Sequence, residues 1–109
     1  MHEECKRSAI EVNSEDEERV CGLFKTLGEA SRLRIVCALM NTQMCVAHLA
    51  EAVEMEQSAV SHQLRNLKAA NLVKSEKKGK QVFYSLDDGH VFGIISQAIE
   101  HAKHMRGGQ

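Results

Sequence analysis

The stretch from Gln57 to Val73, QSAVSHQLRNLKAANLV, constrains this chain more than any other. At helical spacing Val60, Leu64 and Leu67 fall at i, i+4 and i+7 and form one apolar stripe. Ser58, Ser61, His62 and Arg65 fall at i, i+3, i+4 and i+7 on another face, with Gln57 at its start. No carboxylate occurs from Gln57 to Ser75, whereas a face needed only for solubility normally mixes Glu with Lys and Arg. Hydroxyls, an imidazole and a guanidinium are the donors that base edges and phosphates require.

The residues after this helix sharpen the reading. Leu72 to Ser75, a turn over Glu76-Lys77-Lys78-Gly79-Lys80, and Gln81 to Leu86 read as strand, turn, strand. Gly79 can take the positive φ that a tight hairpin needs, and Lys77, Lys78 and Lys80 crowd the tip. A donor-rich helix followed by a lysine-tipped hairpin outlines a winged helix-turn-helix, with the helix in a major groove of double-stranded DNA and the wing on phosphates.

At 109 residues the chain makes one domain. A net charge of −1 taken alone argues against a nucleic-acid partner. The distribution reverses that: seven of the fifteen acidic residues lie in the first 18 positions, whereas Arg65 to Lys80 holds six Lys/Arg against Glu76 alone. The N-terminus has no apolar signal-like region and no run is long enough to span a membrane, which implies a cytoplasmic protein. Cys5, Cys21, Cys37 and Cys45 are then expected to be reduced, and they form no CxxC pair.

Taken in order, residues 1–13 read as a mobile arm, 14–105 as the winged helix-turn-helix domain and 106–109 as a tail. Ser14 with Glu17 matches a capping box for a first helix whose apolar face is Val20, Leu23, Phe24 and Leu27. A second helix runs from about Ala30 to Met40 with Leu33, Val36, Cys37 and Met40 inward. Cys21 and Cys37 sit on or beside these faces and read as buried, inert thiols. A short third helix spans Cys45 to Val53, and Glu54-Met55-Glu56 turns into the donor-rich helix. Asp87-Asp88-Gly89 caps a last helix from His90 to about Met105. The expected class is mainly α (α+β), in the order α-α-α-α-β-β-α. In the last helix Val91, Ile94, Ile95, Ala98, Ile99 and Ala102 exceed what one neighbour covers, so a homodimer through the terminal helices is expected.

Asp88, His90, His101 and His104 are four metal-ligand types on this one helix. His101 and His104 are surface neighbours at i and i+3, and His90 lies eleven residues, about three turns, before His101. The rise of about 16 Å between the two ends is too great for one ion with bonds of about 2 Å. An antiparallel second copy resolves this, placing Asp88 and His90 of one protomer beside His101 and His104 of the other. Two equivalent sites result, each with one carboxylate and three imidazoles, a set suited to tetrahedral zinc or cobalt(II), with nickel ranked below them. The bland alternative makes Asp87 or Asp88 only a cap, and His101 or His104 only cations at a helix C-terminus.

Over residues 15–105 the chain resembles the ArsR/SmtB family of metal-responsive winged-helix repressors. The resemblance rests on Leu27 with Ala30-Ser31-Arg32-Leu33-Arg34-Ile35, Cys45-Val46-Ala47-His48-Leu49-Ala50, Ser58-Ala59-Val60-Ser61-His62-Gln63-Leu64, and Gly79-Lys80-Gln81-Val82-Phe83-Tyr84. Asp88, His90, His101 and His104 match the C-terminal helix site of the family's zinc/cobalt sensors. The resemblance implies a homodimer that holds its operator without metal and releases it on metal binding, controlling genes for metal efflux or sequestration. It also implies a route, in which the second nitrogen of a liganding histidine bonds toward the recognition helix, with His101 the candidate.

Ala30 departs from the family's frequent proline, and Glu54 and Glu56 from its glycine and hydroxyl cap at the turn. Soft-metal sensors carry a CxC at the third helix, whereas Ala47 follows Cys45 here at the second position. Cys45 with His48 at i, i+3, helped by Cys5 or His2, is a candidate second site. A thiol-based regulator of the same fold acting through Cys21, Cys37 or Cys45 is the first rival reading. A zinc hydrolase ranks last, because four protein ligands leave no open position.

Overall fold

The computed structural model describes residues 10–107. Helices α1 (Ser14–Leu27), α2 (Ala30–Ala38), α3 (Val46–Val53) and α4 (Gln57–Ala69) precede strands β1 (Val73–Lys78) and β2 (Gln81–Leu86) and helix α5 (Gly89–Gly107). This is the expected order, with α5 reaching two residues past Met105.

The core is built on α4. Val60, Leu64 and Leu67 are fully buried together with Ile35, Val36, Leu39, Leu49 and Leu72. Burial of each such side chain contributes about 1.5–3 kcal/mol. In α2 the inward face differs from the one expected. Ile35, Val36 and Leu39 are buried, Cys37 and Met40 are half-buried, and Leu33 is 39% exposed. Residues 35–40 are apolar without a break, so periodicity alone does not fix which face turns inward.

The cap of α1 is Asn13 rather than Ser14: the Asn13 side chain accepts a hydrogen bond from Asp16 N at 2.8 Å. The Glu17 N–H, which a Ser14–Glu17 box would have served, instead donates to the Asn13 backbone carbonyl at 2.9 Å. Helix α3 ends at Glu54 in the left-handed conformation, φ +57°. Met55 N donates to Ala50 O at 3.0 Å and Glu54 N to Glu51 O at 3.3 Å, the paired bonds of a Schellman stop. Asn71, φ +61°, ends α4 in the same way, with Leu72 N donating to Leu67 O at 2.9 Å.

The two strands pair antiparallel from Val73↔Leu86 to Lys78↔Gln81. The hairpin is therefore tighter than expected: Glu76, Lys77 and Lys78 belong to β1, and the turn is only Gly79-Lys80, with Gly79 at φ +65°. A primed two-residue turn matches the twist of its strands, and that pulls the lysines into the ladder. Met44, before α3, adds a third short rung by exchanging backbone bonds of 3.0 and 2.8 Å with Tyr84.

The terminal helices are only partly covered. On α1 Leu27 is buried and Leu23 half-buried, but Val20 is 46% and Phe24 62% exposed, contrary to the expected four-residue inward face. On α5 only Val91 and Ile95 are buried, while Ala98, Ala102 and Met105 are exposed. The radius of gyration is 16.9 Å, against about 13 Å for a compact chain of this length. No helix among the described residues is long and apolar enough to cross a membrane.

Glu54 sits where glycine carries no steric penalty. Glu54→Gly is expected to stabilise the fold by about 0.5–1 kcal/mol, the left-handed strain of a Cβ outweighing the entropy of glycine. A urea midpoint at or below that of the parent chain would contradict this.

Candidate functional site

Burial of the Val60–Leu64–Leu67 stripe turns the opposite flank of α4 outward. Gln57, Ser58, His62 and Arg65 are exposed and Ser61 is half-buried, so the donor face read from the sequence is a contiguous surface on this helix. Glu56 is the N-cap but makes no side-chain capping bond, so the first turn of α4 keeps its backbone donors free of any side-chain cap from that residue. Such donors at a helix N-terminus suit phosphate. At the other end Lys68 Nζ donates to Ser75 Oγ at 2.8 Å, tying the helix to the base of the wing.

Lys77, Lys78 and Lys80 are all exposed on the wing, but they do not form one patch. Successive strand residues face opposite sides, so Lys77 and Lys78 diverge. The ammonium of Lys78 lies 5.6 Å from the centroid of the Phe83 ring. That cation–π contact steadies a charge that would otherwise sample many rotamers.

At the start of α5, Asp88 does two things. Its Oδ1 accepts from His90 N at 2.9 Å and Val91 N at 3.3 Å, capping the helix. Its Oδ2 lies 3.2 Å from His90 Nδ1. Hydrogen bonding from the His90 side chain, helped by the backbone amides of Val91 and His90, holds the Asp88 carboxyl below its ordinary range against an opposing desolvation that ranks second among the causes. The carboxylate is therefore ionised at neutral pH, as a ligand must be. Two ligands on one tetrahedral zinc are about 3.3 Å apart for bonds near 2 Å, and His90 Nδ1 would have to give up the proton it shares with Asp88 to serve as one of them. Toward the other end of the same helix, the His101 and His104 rings are exposed, with centroids 6.5 Å apart. Among the described residues no three potential ligands converge within the protomer. The two pairs lie apart along α5.

Cys45 is buried at the N-cap of α3 and His48 is exposed, while Cys5 and His2 of the suggested second site lie outside the described residues. Cys21, expected to be buried, is exposed, because the face of α1 that carries it has no cover in the protomer. Cys37 is half-buried, and burial pushes its thiol above the ordinary range, the reverse of what a reactive thiolate needs.

Residues 29–75 match the family described as bacterial regulatory protein, arsR family. The chain is 39% identical over 100 residues to a transcriptional repressor SmtB homolog from Synechocystis, covering 91% of this chain and 76% of that one. It is 40% identical over 99 residues to the HTH-type transcriptional regulator NmtR of Mycobacterium tuberculosis, covering 91% and 82%. The chain belongs to the arsR family of bacterial regulatory proteins. The solution structure of apo-NmtR superposes with a TM-score of 0.73 at 41% identity, covering 90% of this chain and 82% of that one. The relatives of this arsR-family chain are regulators of transcription, and the winged helix read from the sequence is the fold that they share.

Sequence reasoning missed one polar cluster. Arg32, Gln63 and Asn66 are linked by side-chain hydrogen bonds between α2 and α4. Arg32 stands within the family-like run Ala30 to Ile35, and nothing in its spacing points to a partner 31 residues away.

Two sets of substitutions separate phosphate from base contacts. Replacing Lys77, Lys78 and Lys80 by Ala is expected to weaken all duplexes alike and to flatten the log-affinity against log-salt slope by about 0.9 for each phosphate no longer neutralised. His62→Ala is expected instead to relax preference at one base position by about 1–3 kcal/mol. Anisotropy titrations at several salt concentrations distinguish them, and an unchanged preference for His62→Ala would remove His62 from the recognition face.

Proposed function

We propose that this chain is a metal-responsive transcriptional repressor of the cytoplasm, a homodimer that holds operator DNA without metal and releases it with zinc or cobalt(II). The observation that carries this is the division of α5 into two ligand pairs, Asp88 with His90 and His101 with His104, that no single protomer brings together. The uncovered apolar faces of α1 and α5, with Val20, Phe24 and Met105 exposed, support pairing of the terminal helices between two copies.

In this reading Asp88 and His90 of one protomer and His101 and His104 of its partner hold the ion. Bound there, zinc or cobalt(II) supplies a crosslink between the two copies of α5. Gln57, Ser58, Ser61, His62 and Arg65 meet the major groove, and Lys77, Lys78 and Lys80 the phosphates. The dimer arrangement that closes the ligand set spaces the two α4 helices poorly for successive grooves, so metal weakens DNA binding and DNA weakens metal binding by the same factor. His101 is the proposed coupling residue, its second ring nitrogen bonding toward the recognition helix. Among the described residues of the protomer no hydrogen bond joins His101 to α4, so the proposed coupling contact requires the dimer to form. Regulated genes of metal efflux or sequestration complete the reading.

A thiol-based mechanism has less support: Cys37 is pushed away from the thiolate form and Cys45 is 8% exposed.

The dimer is expected to bind two ions, one per protomer, by cobalt(II) absorption titration. His90→Ala should lower metal affinity by more than the roughly 10–100-fold that removal of an outer-shell partner costs, with operator affinity of the metal-free protein unchanged. Zinc that still dissociates the His90→Ala/His101→Ala double variant from DNA at parent concentrations would show that α5 is not the sensor.

A further inference from the structure

An open groove of about 460 Å3 runs between the C-terminal ends of α1 and α4, lined by Lys25, Thr26, Arg32, Asn66, Ala69 and Ala70. One wall belongs to the helix whose apolar face lacks a partner, the other to the helix that carries the donor face. A single side chain spans the two. Half-buried Arg32 donates from Nε to the Thr26 carbonyl at 2.7 Å and from Nη1 to Gln63 Oε1 at 3.1 Å. The same Gln63 oxygen accepts from Asn66 Nδ2 at 3.3 Å.

The chemistry of each end is specific. Thr26 is in the last turn of α1, where carbonyls have no intrahelical donor and a cation is favoured by the helix dipole. Gln63 follows exposed His62 and precedes buried Leu64, so a tether on Gln63 acts on the placement of α4 relative to α1. Arg32 is itself anchored, since its backbone N–H donates to Glu29 Oε1 at 3.0 Å in the cap of α2, and Ser31 Oγ donates to the same oxygen. Those bonds hold the exposed Glu29 carboxyl below its ordinary range, the Ser31 hydroxyl contributing most. The guanidinium thus has a fixed base and two acceptors on two different helices. A planar fork holds both acceptors in one geometry, which a lysine ammonium cannot.

We propose that Arg32 is a positioning residue that sets the angle of the recognition helix α4 to the dimerisation helix α1, and through it the separation of the two DNA-reading helices in the dimer. This rests on the dimeric DNA-binding reading above. Arg32 touches no DNA in this arrangement. It acts on the spacing between half-sites and leaves the reading of each half-site to the exposed face of α4.

The test uses the full-length metal-free protein and duplexes first selected by the parent chain from a random pool. The half-site separation is then changed by one or two base pairs, each about 3.4 Å and about 35° around the helix axis, and a duplex with one half-site serves as reference. Anisotropy is read well below the unfolding temperature of every variant. Arg32→Lys and Gln63→Met are each expected to bind the single half-site like the parent, while losing about tenfold of its discrimination between separations. The double variant should lose no more than either alone, because both changes break one tether. Parent-like discrimination in both single variants, proportional loss on half-site and full site, or additive losses would each overturn the proposal. If the parent chain itself ignores half-site separation, the dimeric reading fails, and the role given to Arg32 fails with it.

Discussion

Burial of the Val60, Leu64 and Leu67 stripe against Ile35, Val36, Leu39 and Leu49 is the packing on which the rest of the molecule depends. It fixes the roll of α4, and the roll decides which side chains reach solvent. Because the core interdigitates at near-crystalline density, a rotation of the helix would unseat several large side chains at once. The donor face of Ser58, His62 and Arg65 is therefore held on a rigid element. The helix is fixed lengthwise too, by left-handed stops at Glu54 before it and Asn71 after it.

The protomer is less complete at its ends than in its middle. Its central helices and wing close around a continuous core, while α1 and α5 leave Val20, Phe24 and Met105 in water. In the proposed reading, Asp88 with His90 and His101 with His104 show the same incompleteness, since among the described residues no three potential ligands converge within the protomer. Under that proposal the apolar surface and the candidate ligands call for the same element, a second copy of the chain. An ion that joins two copies senses their relative placement, which is also what successive major grooves sense.

Polar tethers carry the information that the apolar core does not. Arg32 links α1 to α4 across a groove, Lys68 links α4 to the wing, and Asp88 orders the first turn of α5 while lying beside His90. Each is a short-range directional contact, between two elements for Arg32 and Lys68 and within one helix turn for Asp88. Such contacts are suited to hold an angle, because they weaken steeply when the donor moves off line.

The sequence by itself determined the features that rest on local periodicity. The stripe and donor face of α4, the existence of the wing and the placement of Asp88, His90, His101 and His104 along α5 all derive from spacings within about three helical turns or one hairpin. Their surroundings were decided only by tertiary structure. Residues 35–40, from α2 into its C-terminal cap, are uniformly apolar, so only the position of α3 and α4 selects Ile35 and Leu39 over Leu33 for burial. Asn13 takes the cap of α1 from Ser14 because the backbone turns one residue earlier. Lys77 and Lys78 diverge because the ladder runs to the turn. Arg32 meets Gln63 across 31 residues of chain. Periodicity reports which residues share a face; what covers that face, or reaches across to it, is a long-range fact that only the folded chain contains.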